Sequence, residues 1–235
     1  MSLQQNCIFI HVPKTAGTAI KKILKQQIYN CKNLNNKQHN TLTTTKYIYC
    51  PNYKYRSKVI DDICNDVDIE RYYTFCFIRN PYDRVVSSWK FGSWNAKWTC
   101  SFPTFCRLLE CIDISPDKSY YDSSYPKDIE RYYVKREGKS SRIESREIVA
   151  GLINHVGEQY SLVHGNRVVA NYVGRFENIQ EDFDIVCSNI GIEQQKLPHV
   201  NKTNHKHYTE YYDDKTYQII TKKYSKDINY FNYKF

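Results

Sequence analysis

A lysine and two threonines surround a glycine in the segment PKTAGT, residues 13–18, which directly follows the apolar run CIFIHV. The run is typical of a buried strand, and the residues after it have apolar side chains at helical spacing. A helix that begins near Gly17 directs unpaired N–H groups and its positive dipole end into this loop, where Lys14, Thr15 and Thr18 add donors. The sequence therefore predicts a site for a phosphate-like anion. It is not the usual nucleotide P-loop, because GxxxxGK[ST] is absent and the lysine precedes the glycine.

A second predicted strand, residues 72–78, also runs directly into a helix start. Arg79 follows this strand, Asn80 can cap the next helix, and Pro81 suits its first position. Ser87 lies two turns along the same helix face, so that Arg79 and Ser87 can both reach one anion. Two such anion sites at the carboxyl ends of adjacent parallel strands predict a ligand with phosphates at two separated points.

Both predicted sites need a framework of alternating strands and helices. That alternation predicts an α/β fold, a single domain over 1–235 with a central, mainly parallel sheet flanked by helices, whose ligands lie beyond the carboxyl ends of the strands. The predicted strands are 7–12, 72–78 and 167–176. The predicted helices are 16–29, 56–66, one starting at Pro81, 101–112, 144–163, 179–192 and 213–231. Residues 30–40 are predicted as a surface loop and 113–143 as irregular.

The charge balance favours an anionic partner. With 34 Lys and Arg against 25 Asp and Glu, the formal net charge of +9 attracts nucleotides, acidic glycans, nucleic acid or acidic lipid alike. Nucleic acid is disfavoured, since no recognition helix, RNP-like aromatic pair or zinc knuckle is evident. No apolar stretch reaches the ~18 residues of a membrane span. Nine cysteines without a CxxC pair favour free thiols and a cytoplasmic protein, with a lumenal catalytic domain freed of its anchor as the alternative.

Two motifs, HVPKTAGT and FCFIRNPYDRVVSSW, resemble the 5′-phosphosulfate loop and the 3′-phosphate motif of sulfotransferases that use 3′-phosphoadenosine-5′-phosphosulfate (PAPS). Specifically, the chain is similar to the carbohydrate group that includes the heparan 2-O and chondroitin/dermatan enzymes. The similarity continues in HVGEQY, YVGRFENIQEDF, LPHVNKTNHKHY and YSKDINYFNYKF, and so covers nearly the whole chain. It implies a P-loop-like nucleotide-binding fold and transfer of a sulfuryl group from PAPS to a hydroxyl of a carbohydrate or glycan-like acceptor. The product would be adenosine 3′,5′-bisphosphate, and no metal is expected.

The resemblance also implies a role for each matching residue. The 5′-phosphosulfate would be held by Lys14, Thr15, Ala16, Gly17 and Thr18, the 3′-phosphate by Arg79 and Ser87, and Lys202 and Thr203 would close over the nucleotide. Ala19 stands where similar enzymes often have a serine, a departure that leaves the backbone donors in place.

Sulfuryl transfer needs charge stabilisation on the leaving phosphate and a base for the acceptor proton. Lys14 would stabilise the bridging oxygen, and His39 lies where similar enzymes place a histidine proposed as the base. Another histidine could be the base instead: His155 could face the acceptor or equally be a structural helix histidine, and His11, at the end of the first strand, is expected to be structural. Two other functions stay open: a noncatalytic adenosine 3′,5′-bisphosphate or polyanion-binding module, and a nucleotide kinase-like enzyme. The acceptor is not identified by the sequence.

Overall fold

The computed structural model of the chain describes residues 7–34, 46–48, 72–95, 101–111, 155–163, 170–198 and 206–235. The strands are β1 Cys7–Ile10, β2 Lys46–Ile48, β3 Tyr73–Ile78 and β4 Tyr172–Arg175. The helices are α1 Gly17–Leu34, α2 Pro81–Asn95, α3 Phe102–Cys111, α4 Gln159–Val163, α5 Ile179–Ile190, α6 Asp214–Lys223 and α7 Ser225–Tyr230. Short 3-10 helices cover Phe176–Asn178 and Tyr208–Tyr211.

The chain divides into two compact units. Unit 1 consists of Met1–Cys50, Ser57–Arg79 and Leu162–Lys202, and unit 2 consists of Pro51–Arg56, Asn80–Ser161 and Thr203–Phe235. The chain passes from unit 1 to unit 2 between Arg79 and Asn80, at the end of β3. The single domain predicted over 1–235 stays a prediction.

Unit 1 contains a parallel sheet of four strands in the order β2-β1-β3-β4. β1 pairs with β3 from Cys7 opposite Tyr73 to Ile10 opposite Cys76, and β4 joins the other edge of β3. All three strand pairs are parallel, which confirms the predicted α/β fold with a parallel sheet. Because the strands run in one direction, the segments that follow β1, β3 and β4 leave the sheet at the same edge.

The sheet of unit 1 is held by a continuous apolar cluster. Phe9 stacks on Phe75 with ring centroids 5.2 Å apart, and Ile20 of α1 and Phe183 of α5 complete the cluster. Each such fully buried side chain stabilises the fold by about 1.5–3 kcal/mol. Gly174 on β4 is required by this packing, because a Cβ there would lie 2.5 Å from the Phe77 ring.

Unit 2 is helical where the structure describes it. Its apolar cluster joins α2, α3 and α6 through residues such as Val86, Phe105 and Ile220. Arg84 of α2 is 1% exposed. Its Nη2 donates to the carbonyl oxygens of His155 and Gly157 at 3.2 and 2.8 Å.

Several predicted boundaries were wrong. Helix α1 continues to Leu34, into the predicted 30–40 loop, because no glycine or proline occurs between Gly17 and Pro51 to end it. The short β2 was not predicted. The predicted helix 213–231 is two helices divided at Tyr224, whose φ of −107° and ψ of 25° interrupt the helix. There the Tyr224 hydroxyl donates to the Val156 carbonyl at 2.6 Å.

The predicted helix 144–163 lies partly outside the described residues, and its described part is interrupted at Gly157 and Glu158, so that a regular helix begins only at Gln159. The strands predicted at 7–12, 72–78 and 167–176 are confirmed in shorter form as β1, β3 and β4. The predicted helix 56–66 and the irregular segment 113–143 lie outside the described residues.

Candidate active site

The loop between β1 and α1 has an unusual backbone. Lys14 has φ 70° and Ala16 has φ 59°, left-handed values that cost a residue with a side chain about 1–2 kcal/mol. Between them, Thr15 is fully buried, and its hydroxyl donates to the Val12 carbonyl at 2.7 Å. The loop therefore holds two strained residues in place with an internal hydrogen bond. Since the Thr15 hydroxyl proton is used inside the loop, the backbone amide is the donor that Thr15 can offer to an anion.

Gly17 begins α1 beneath the ring of His11. A Cβ on Gly17 would lie 2.0 Å from both Cδ2 and Nε2 of His11, so any other residue would displace that ring. The His11 ring also lies 5.8 Å from the ring of Phe9 in the core. The His11 ring therefore packs between Phe9 and Gly17, and the structural role expected of it stays a prediction.

The N-terminus of α1 presents backbone donors. The Ala16 carbonyl accepts the amides of Ala19 and Ile20 at 2.9 and 3.2 Å, so the helical hydrogen bonds begin there. Among the described residues, no backbone hydrogen bond outside the helix uses the amides of Gly17 or Thr18. Thr18 is exposed, whereas Ala19 is buried in the apolar cluster, where a serine hydroxyl would be buried. This arrangement is suited to an anion, because N–H groups and the helix dipole point the same way.

Arg79 connects this loop to the rest of the sheet edge. Although it is charged, Arg79 is only 8% exposed. Its Nη1 donates to the Lys14 carbonyl at 3.1 Å, and its Cζ lies 4.0 Å from the centre of the Phe176 ring. The two sequence motifs that each predicted an anion site are therefore joined by a direct hydrogen bond in unit 1.

Asp182 on α5 holds the strand that directly precedes Phe176. The carboxylate of Asp182 accepts the Tyr172 hydroxyl at 2.9 Å and also the backbone N–H of Arg175. Burial, together with Asp182, raises the pKa of Tyr172 to about 12, so this hydroxyl keeps its proton at neutral pH. Asp182 thus fixes both ends of β4, and Phe176 follows directly after it. Phe176 and Asp182 both lie in the segment YVGRFENIQEDF, which contributes to the family resemblance, but neither was predicted as a site residue.

The helix start after β3 is built differently. Asn80 accepts the Tyr82 amide on its Oδ1 at 3.0 Å, and its Nδ2 donates to the Lys234 carbonyl at 2.8 Å. Asn80 is therefore the helix cap that the sequence predicted. Further along α2, Ser87 is half-buried and Ser88 is buried, with the Ser88 hydroxyl donating to the His155 carbonyl at 3.2 Å.

The segment that contains His155 is firmly held in unit 2. Besides Arg84 and Ser88, Asp227 binds it by accepting the amides of Gln159 and Tyr160 at 2.9 and 2.7 Å. Burial raises the pKa of Asp227, while Arg84 and these two amides oppose the shift. The His155 ring lies 4.9 Å from the ring of Phe91.

Three predicted site residues, His39, Lys202 and Thr203, lie outside the described residues. In the part of the chain that is described, no group of three His, Cys, Asp or Glu side chains could hold a metal ion. The same part contains no helix long and apolar enough to cross a membrane.

The fold is therefore a parallel α/β sheet with a strained loop after its first strand, and the helix N-terminus that follows this loop is suited to an anion. The comparison with protein families gives the particular family: the family model described as the sulfotransferase family matches residues 1–234, and the chain belongs to that family. As a sulfotransferase it transfers sulfuryl groups and needs a sulfuryl donor.

Two further comparisons add little detail. The crystal structure of a sulfotransferase from Alicyclobacillus acidocaldarius aligns with 100% of this chain and 98% of its own, at 12% identity and a TM-score of 0.45. No curated protein matches the chain.

Proposed function

We propose that the protein transfers a sulfuryl group from PAPS to a hydroxyl of a carbohydrate or glycan-like acceptor. The observation that carries the proposal is the hydrogen bond between Arg79 Nη1 and the Lys14 carbonyl, 3.1 Å long. It links the motif that resembles a 5′-phosphosulfate loop to the one that resembles a 3′-phosphate motif. A donor that carries phosphates on both sides of its ribose would need both motifs, whereas a nucleoside triphosphate would need only one.

The loop after β1 supports the 5′ half of the proposal. The amides of Ala16, Gly17 and Thr18, near the start of α1, would hold the 5′-phosphosulfate, with the Thr15 amide beside them. When bound, PAPS supplies the sulfuryl group. The ammonium of Lys14 would stabilise the negative charge that grows on the bridging oxygen as the S–O bond breaks. A base would take the acceptor proton as the new S–O bond forms, and His39 keeps that role as a prediction.

The 3′ half of the proposal rests on side chains. Arg79 would bind the 3′-phosphate as a planar, permanently charged donor, and Ser87 would add a hydroxyl. Lys202 and Thr203 keep their predicted role of closing over the nucleotide. A cytoplasmic location is likewise part of the proposal.

The acceptor is expected to be acidic or rich in hydroxyls. The net charge of +9 favours approach of an anionic chain, with a rate that falls as salt rises. Transfer of labelled sulfate from PAPS should be measured with acidic glycans, neutral oligosaccharides and tyrosine-containing peptides in parallel. Transfer to a glycan hydroxyl is the expected result.

A Lys14→Met variant tests the mechanism in the same assay. Removing the ammonium should lower kcat by about 10²–10³-fold, a loss seen when one charge-stabilising donor is removed elsewhere. The donor KM should change less, because the charge on the bridging oxygen develops only in the transition state. Lys14→Met with wild-type kcat would contradict the assigned role, and peptide-only transfer would contradict the carbohydrate acceptor.

A further inference from the structure

Phe176 directly follows β4, and its ring lies against Arg79, which directly follows β3. We propose that Phe176 is a positioning residue: through Arg79 it holds the carbonyl of Lys14 and so fixes the loop that binds the 5′-phosphate. The proposal rests on the proposed function only for the identity of the ligand. Its geometric part concerns three residues in contact and stands on their distances.

The first step is the stacking of Arg79 on Phe176. Cζ of Arg79 lies 4.0 Å from the ring centroid, which places the cation against the ring face. Arg79 is buried and Phe176 is half-buried, so water is partly excluded from this contact, and cation–π attraction becomes stronger as the groups are desolvated. The ring therefore restricts the orientation of the guanidinium plane.

The second step is the hydrogen bond from that plane to Lys14. A guanidinium donates within its own plane, so the ring that orients the plane also aims Nη1 at the Lys14 carbonyl, 3.1 Å away. Lys14 has φ 70°, a conformation that a residue with a side chain keeps only when its surroundings hold it. If Arg79 turned away, the Lys14 peptide could relax, and the amides that follow it would lose their common direction.

The third step is the anchoring of Phe176 itself. The residue before it, Arg175, is held by Asp182, which also binds Tyr172 at the start of β4. Phe176 therefore presents its ring from a fixed backbone. The chain of contacts runs from α5 through β4 to the loop after β1, all within unit 1.

Two phosphate probes separate this role from simple 3′-phosphate binding. Adenosine 5′-phosphate and adenosine 3′-phosphate are titrated calorimetrically into wild type, Phe176→Leu and Phe176→Tyr. Phe176→Leu removes the aromatic face, and the affinity for adenosine 5′-phosphate should fall about tenfold, the effect of a partly desolvated cation–π contact. Phe176→Tyr keeps the face and should restore the affinity to within about twofold of wild type.

Phe183→Leu is the matched control, because it makes the same change at a fully buried core position on α5. It should bind both nucleotides as wild type does. The proposal is overturned if Phe176→Leu binds adenosine 5′-phosphate normally and weakens only adenosine 3′-phosphate. It is equally overturned if Phe183→Leu loses as much 5′-phosphate affinity as Phe176→Leu.

A second readout needs no nucleotide. Trypsin cleavage after Lys14 is followed by mass spectrometry, with cleavage after Lys22 in α1 as the internal reference. Phe176→Leu should raise the relative rate at Lys14 about tenfold, since the same contact restrains the loop, whereas Phe176→Tyr and Phe183→Leu should not. An unchanged rate in Phe176→Leu contradicts the positioning role. If wild type binds neither nucleotide, the proposed function fails, and this cleavage rate alone decides the positioning role.

Discussion

The loop between β1 and α1 and the turn between β3 and α2 both lead from a parallel strand into a helix, but they treat the helix N-terminus differently. In the first, Lys14 and Ala16 adopt left-handed backbone values. Among the described residues, the amides of Gly17 and Thr18 donate to no backbone carbonyl outside the helix. In the second, Asn80 accepts the Tyr82 amide itself. Under the proposed function, the first turn would offer backbone donors to the anion, while the second would offer mainly the side chains of Arg79 and Ser87.

This difference indicates how each turn tolerates change. A site made of backbone amides depends on the conformation of the loop, so any substitution that moves the loop lowers the affinity for the ligand, even a substitution far from the ligand. A side-chain site depends on the identity of one or two residues, and its helix can lose its cap without losing the donors. The following substitutions separate the two cases.

The largest effect is expected from Gly17→Ala. Its Cβ would lie 2.0 Å from the His11 ring, so the ring or the loop must move, and overpacking of this kind costs about 1–3 kcal/mol. Thermal unfolding should shift to lower temperature, and affinity for adenosine 5′-phosphate should be largely lost because the backbone donors move. Both are measured on the purified variant by calorimetry.

The double variant His11→Ala with Gly17→Ala checks the cause. Removing the ring leaves room for the new Cβ, so the double variant should be more stable than Gly17→Ala alone. If it is less stable instead, the contact between His11 and Gly17 is not what makes glycine necessary.

A smaller effect is expected from Asn80→Ala. Loss of the helix cap costs about 1 kcal/mol, which lowers the unfolding temperature of a chain this size by about 2–4 °C. Asn80→Ser keeps a side-chain oxygen that can accept the Tyr82 amide, so it should lose less than Asn80→Ala even though it also gives up the bond to the Lys234 carbonyl. The affinity for adenosine 5′-phosphate should not change in either variant. If either variant loses as much of this affinity as Gly17→Ala does, the cap at Asn80 matters for the 5′ site, and the two turns do not differ as backbone site and side-chain site.

The smallest effect concerns Asp213, a charged cap at the start of α6. The Thr216 backbone N–H, at 2.7 Å, holds the pKa of Asp213 below its ordinary value. Because the pKa of Asp213 is lower in the folded state than in the unfolded state, the charged cap stabilises the fold at pH values above the unfolded-state pKa. This stabilisation is lost as the pH falls through the pKa of the folded state. Unfolding temperatures of wild type and Asp213→Asn, compared from about pH 5 to about pH 2, should converge as the pH falls. A difference that grows toward low pH would reverse the assigned sign.

The sheet of unit 1 was predictable because β1 and β3 are short apolar runs that each end at a turn signal. The short β2 was not, because three residues, KYI, carry no periodicity and their pairing depends on a distant strand. The extension of α1 to Leu34 was missed because asparagine-rich sequence suggests a loop, although nothing in it forces a helix to end.

The site was predictable only where a motif is continuous in sequence. Lys14 and Arg79 were each identified, but their hydrogen bond joins residues 65 positions apart and depends on the register of β1 against β3. Phe176 lies in the segment YVGRFENIQEDF that contributes to the resemblance, but the sequence suggested no site role for it, since an aromatic residue after a strand is usually core. Its contact with Arg79 becomes visible only in the three-dimensional structure.

The most direct test of the central claim is a calorimetric titration of wild type with adenosine 3′,5′-bisphosphate and with adenosine 5′-phosphate. Ser87→Ala and its neighbour Ser88→Ala, whose hydroxyl is bound to the His155 carbonyl, form the matched pair. Wild type should bind the bisphosphate more tightly than adenosine 5′-phosphate. Ser87→Ala should lose about tenfold or more of that preference, because it removes a hydrogen bond to a charged group. Ser88→Ala should keep the preference of wild type. No preference of wild type for the bisphosphate would contradict the assignment of PAPS as the donor.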